Sequence, residues 1–131
     1  MNLIPVRLYP GQLLKEQLGE IALEYNLQAG FILSGVGSLK SVSIRLANTE
    51  NIFQKNNFFE VLSLQGSLSL AGIHVHISIS DSAGQCYGGH LLDQCIVNTT
   101  MEILIVSLSG FKFDRQIDPQ TGYKELIINK I

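Results

Sequence analysis

The 131-residue sequence predicts a single compact, sheet-rich α/β domain spanning residues 1–131. Three observations predict it. The length is that of one ordinary domain, enough to bury a real core. One segment near the start carries the period of an amphipathic helix. Almost everything after it alternates or runs apolar in the manner of strands, with no repeat, linker or low-complexity tract.

Val6–Tyr9 reads as a short strand stopped by the turn pair Pro10-Gly11. From Gln12 the period becomes helical: Leu14, Leu18, Ile21, Ala22 and Tyr25 form one apolar stripe. Lys15, Glu16, Glu20 and Glu24 take the other face, and Asn26 and Gly30 bracket the exit. "FILSGVGSLKSVSIRLAN" reads as two strands around a Gly35-Val36-Gly37 turn, with Val42, Ile44 and Leu46 alternating against Ser43, Arg45 and Ala47. "FFEVLSLQGSLSL" is a strand interrupted by Gly66. "IHVHISIS" alternates strictly, with Ile73, Val75, Ile77 and Ile79 on one face and His74, His76, Ser78 and Ser80 on the other. "GGHLLDQCIVN" fits either a short helix or a wide strand connection. "MEILIVSLSG" has the continuous apolar run of a central strand covered on both faces, and "YKELIINKI" closes the chain as a last strand.

Composition narrows the function. Hydrophobic residues make up 46% and charged residues 15%, against about 25% charged in an average soluble domain. Part of the apolar surface is therefore expected to be covered by another subunit. The net charge is −2, and the basic residues are spread from Arg7 to Lys130 without a cluster, so no footprint for a nucleic-acid backbone is visible. Only a patch gathered across subunits, from Arg7, Lys40, Arg45, Lys112 and Arg115, would supply one. No segment approaches the roughly 20 apolar residues that span a bilayer. The start lacks a basic region followed by an apolar one. A cytoplasmic address with Cys86 and Cys95 as reduced thiols is the expectation.

The chemistry concentrates in "IHVHISISDSAGQCYGGH". All three histidines of the chain, His74, His76 and His90, fall within it. Side chains at i and i+2 of a strand point the same way, about 6.5–7 Å apart at Cα, so two imidazoles can lean onto one ion. The loop "DSAGQCY" and the flexible pair Gly88-Gly89 allow the chain to return and bring His90 alongside. Three neutral imidazoles leave a tetrahedral ion one open position, as in catalytic zinc sites. The same residues also fit the polar face of an amphipathic strand, and both readings stand.

Other constellations are weaker. Cys86 lies near the histidines, but a reactive thiol needs an electropositive, partly exposed pocket. Ser78 and Ser80 share the histidine face without a Gly-x-Ser-x-Gly elbow. Glu102 interrupts the apolar "TTMEILIV" and reads either as a group supporting a metal-bound histidine or as a surface residue at a strand end. Gly35-Val36-Gly37 lacks the spacing and the lysine of a phosphate loop.

"LYPGQLLKEQL", "SGVGSLKSVSIRLAN", "FEVLSLQGSLS", "HVHISISDSAGQCYGGHLL" and "VNTTMEILI", in this order, resemble the plant and prokaryote conserved (PPC) domain family from about Arg7 to the C-terminus. The resemblance implies a compact α/β fold with a largely antiparallel sheet flanked by helices, assembled as a homotrimer. It also implies that His74, His76 and His90 bind a metal, with zinc expected. Plant members carry the domain behind an AT-hook with an Arg-Gly-Arg-Pro core that enters the DNA minor groove. That core is absent here, so direct DNA binding is doubtful. The expectation is a cytoplasmic homotrimer with a three-histidine metal site, acting as a binding module toward a protein partner or small molecule. The alternatives are a DNA-associated regulator, and a metal-dependent enzyme with Glu102 or Asp81 as base.

Overall fold

The computed structural model describes all 131 residues, Met1 to Ile131. Its elements are β1 (Asn2–Leu8), α1 (Leu14–Glu24), β2 (Gly30–Arg45), β3 (Ile52–Lys55), β4 (Phe59–Ser69), β5 (Gly72–Ser80), β6 (Cys86–Leu91), β7 (Ile96–Ser107), β8 (Phe111–Ile117) and β9 (Lys124–Lys130). This corrects the expected fold class. The chain is 61% strand and 8% helical, with one helix rather than a helix-flanked α/β arrangement. The physical reason lies in the pattern: only Leu14–Glu24 has a helical period, and the long alternating strands beyond it bury each other.

Seven strands form one antiparallel sheet in the order β1-β7-β2-β4-β5-β6, with β3 paired to β2. β2 is long enough to pair with β4 between Gly30 and Leu39 and also with β6 through Ile44↔Leu91 and Arg45↔His90. The sheet thus curls until β2, β4, β5 and β6 close on themselves, leaving β1 and β3 with one neighbour each. The inner face carries the core, including Ile32, Leu39, Leu64, Val75, Ile77, Ile79, Met101 and Ile105. Against it α1 seats Leu14, Leu18, Ile21 and Ala22, packing on β4 and β5. Asn26 ends the helix with φ 46°, a left-handed residue of the kind that closes helices.

The expected Gly35-Val36-Gly37 turn does not exist; β2 runs through it as one strand with register shifts at Ile32/Ser34 and Gly37/Leu39. The glycines serve close packing instead. A Cβ on Gly35 would lie 2.9 Å from Leu64 Cβ, and one on Gly37 would fall on the Thr100 carbonyl oxygen. The stretch 88–98, which fits either a short helix or a wide strand connection by sequence, holds no helix: residues 88–91 belong to β6 and 96–98 to β7. β3 and β8 were not anticipated. β8 and β9 pair as a separate two-stranded ribbon laid against the outer face of the sheet. There Phe113 meets Phe31 edge-on at 5.5 Å between centroids, and its backbone N–H donates to the Gln28 carbonyl at 2.9 Å.

Candidate metal centre

Strand register places the histidines. On β5, Val75, Ile77 and Ile79 turn into the core, so His74 and His76 must face outward. His76 pairs directly with His90 of β6, and His74 with Ser67 of β4. His90 pairs with Arg45 of β2. One row across the outer face therefore reads Gln65, His76, His90, Arg45. Gly89 makes this approach possible: a Cβ there would fall on the Arg45 carbonyl oxygen and 2.8 Å from Ile44 Cγ2.

The three rings converge. Their centroids are 5.0 Å apart for His74–His76, 5.4 Å for His74–His90 and 5.7 Å for His76–His90. One potential ligand atom from each lies within 4.8 Å of the others. Bonds of about 2.0–2.1 Å to a tetrahedral zinc ion would place the nitrogens about 3.3 Å apart, so small ring rotations suffice to close the cluster. His90 Nδ1 is buried without a hydrogen-bond partner. A buried imidazole nitrogen left unpaired is unfavourable, and the donor set fits a divalent ion that imidazole suits. When bound, such an ion supplies a Lewis acid able to polarise a ligand oxygen.

Electrostatics keep two of the rings neutral. Burial, then Arg45, His74, Lys15 and His76, lower the His90 pKa to about 4. His74 is also lowered, by desolvation first and then by His76, Arg115 and Arg45, with Glu125 opposing. Metal binding requires deprotonated imidazoles, and these two are held in that form. A consequence can be measured on chelator-stripped protein. Between pH 6.5 and about 4 the unfolded chain protonates His90 while the folded chain does not. Stability attached to His90 is thus complete above the unfolded value and declines as pH falls toward the folded one. Urea midpoints between about pH 7 and pH 5 should drop less in His90→Gln than in the natural protein.

The other candidates lie elsewhere. Glu102 is exposed on β7, between Arg7 of β1 and Val36 of β2, and lines clefts that contain none of the histidines. It does not support a metal-bound histidine. Asp81 Oδ1 accepts from the backbone N–H groups of Ala83 and Gln85, both at 2.9 Å, and builds the β5–β6 turn. Cys86 sits at the far end of β6, its Sγ 3.7 Å from the Gly84 carbonyl oxygen. Four strand residues, about 13 Å, separate it from His90. Cys95 is buried, its pKa raised to about 11 chiefly by desolvation. Both cysteines are free.

Sequence reasoning missed what surrounds the triad. Clefts of 670 Å³ and 380 Å³ meet at the histidines. Arg45 lines both, Arg115 lines the smaller, and Tyr123 enters both from the ribbon. In the sequence Arg45 and Arg115 are members of a dispersed basic set. Nothing local in sequence announces a neighbour that pairing supplies from 45 residues away.

Comparison with known proteins gives a consistent picture. The family model of the Plants and Prokaryotes Conserved (PCC) domain matches residues 1–109. A solved protein from Salmonella of undetermined function is 38% identical, with TM-score 0.96 over 98% of this chain and 94% of that one. A metal-containing protein from Archaeoglobus fulgidus is 27% identical, with TM-score 0.84 over 97% of this chain and 94% of that one. A protein from Bacteroides thetaiotaomicron for which DNA binding has been proposed shares the fold at 22% identity, with TM-score 0.87 over 96% of this chain and 91% of that one. The curated relatives matched are bifunctional GlmU proteins of two Synechococcus strains, 43% identical over this whole chain. The chain spans only 21% of their length. No helix is long and apolar enough to cross a membrane.

Proposed function

The chain belongs to the Plants and Prokaryotes Conserved (PCC) domain family, and from that premise we propose that it is a cytoplasmic, homotrimeric metal-binding module. In this reading His74, His76 and His90 hold one zinc or similar divalent ion and present it to a small-molecule ligand or protein partner. The observation that carries the proposal is the convergence of three imidazoles from two adjacent strands, one of them with an unpaired buried nitrogen. The metal-containing relative from Archaeoglobus adds support.

Self-assembly is supported by the outer face away from the histidines. Leu3, Leu33, Val36 and Leu62, on β1, β2 and β4, are each more than half exposed. Exposed apolar side chains of this kind are what an interface covers, and a closed ring of like contacts would cover them without open ends. A DNA-associated role receives no comparable support. The relative for which DNA binding has been proposed shows the fold alone, and a net charge of −2, tripled in a trimer, opposes a polyanion.

Size-exclusion chromatography with light scattering and elemental analysis of the same peak tests both parts. The expected peak has three times the 14.4 kDa chain mass and about one zinc per chain. A metal-free monomer at micromolar concentration would overturn the proposal.

A further inference from the structure

We propose that Arg45 and Arg115 form an oxyanion cradle beside the three histidines, so that the ligand taken at this site bears a small carboxylate or phosphate group. The inference rests on the metal reading above and names the ligand class for it. Arg45 is the direct cross-strand neighbour of His90 and shares its face of the sheet. Arg115 reaches the other end of the triad from the β8–β9 ribbon, donating through Nη2 to Ser67 Oγ at 2.8 Å. Ser67 is in turn the cross-strand partner of His74. The two guanidinium groups thus flank the triad from opposite sides, and both line the 380 Å³ cleft with His74 and His90.

Neither arginine has a carboxylate within ion-pair distance; the molecule's single salt bridge joins Lys112 and Asp114. Both guanidinium groups are half-buried and leave donors without a counter-ion along this cleft. Glu125 is the one carboxylate lining that cleft, against Arg45, Arg115 and Lys124. The local balance therefore favours an incoming anion. A guanidinium fork matches the planar or tetrahedral oxygens of carboxylate and phosphate, and an anion held there would share its cleft with the imidazoles of His74 and His90. The adjoining 670 Å³ cleft, with Asn48, Thr49 and Glu50 on its wall, leaves room for a polar remainder of ordinary metabolite size. Arg115, Tyr123 and Glu125 all come from beyond residue 109, outside the residues matched by the family model. The ribbon thereby contributes to the proposed cradle together with Arg45 of β2.

Calorimetric titration of the zinc-loaded protein with inorganic phosphate and with succinate tests this, with zinc content measured for every sample. Saturable binding of at least one anion is expected. It should weaken more than about tenfold in Arg45→Gln and in Arg115→Gln, the loss of one charge-assisted pair, and be partly regained in Arg45→Lys. Cobalt-loaded protein should show an anion-dependent change in its visible spectrum that both glutamine variants diminish. Neither anion binding at about 10 mM, or equal binding in both glutamine variants, with zinc still at one per chain, overturns this inference and leaves the metal reading intact. Absence of zinc from the natural protein overturns the metal reading itself, and this inference with it.

Discussion

Replacing His76 by alanine is expected to weaken zinc binding by about a hundredfold or more. Structural zinc sites with four ligands bind with about 10–16 kcal/mol, so each ligand carries on the order of 3 kcal/mol. His76 is central to the cluster: it is the cross-strand partner of His90 and the i+2 neighbour of His74. Because His76 is exposed and makes no core contact, the fold should survive its loss. Thermal melts of the metal-free forms should coincide, while a competition titration against a chromophoric chelator separates the affinities. Equal affinity in the two proteins would remove His76 from the site.

Gly89→Val should be strongly destabilising. The new Cβ has no space, since the Arg45 carbonyl oxygen already occupies it and Ile44 Cγ2 lies 2.8 Å away. β6 would have to move off β2, breaking the pairs Ile44↔Leu91 and Arg45↔His90 that close the sheet. Overpacking of this kind costs about 3 kcal/mol, or roughly 10 °C in melting temperature for a domain of this size. His90 would move with the strand, so zinc affinity should fall as well. Gly84→Val, at a turn glycine with nothing within 4 Å, would perturb the turn through its φ of 78° but should leave zinc binding in place. A melting temperature unchanged in Gly89→Val would show that β6 does not need this contact.

The parts of the fold governed by local pattern were legible in the sequence. The stripe Leu14, Leu18, Ile21 and Ala22 is the buried face of α1, and the alternation of residues 73–80 places His74 and His76 on the outer face of β5. The parts governed by pairing were not. Gly35-Val36-Gly37 has the composition of a turn, but its glycines admit Leu64 and Thr100 from neighbouring strands. Glu102, among apolar sequence neighbours, reads either as a group supporting a metal-bound histidine or as a surface residue, and the strand pattern decides for the surface. It occupies the outward position of a strand whose inward positions are Met101 and Ile103. Helices on the flanks of the sheet were expected from resemblance, and the chain has the residue pattern for only one. Arg45 and Arg115 become part of the histidine site through β2–β6 pairing and the docking of the ribbon, which no short stretch of sequence encodes.

Zinc-edge X-ray absorption of the metal-loaded protein tests the central claim most directly. Three imidazoles holding one ion predict a first shell of nitrogen and oxygen at about 2.0–2.1 Å, with the multiple scattering of about three imidazole rings and no sulfur at about 2.3 Å. A sulfur contribution, or fewer than two imidazoles, would contradict a site built from His74, His76 and His90.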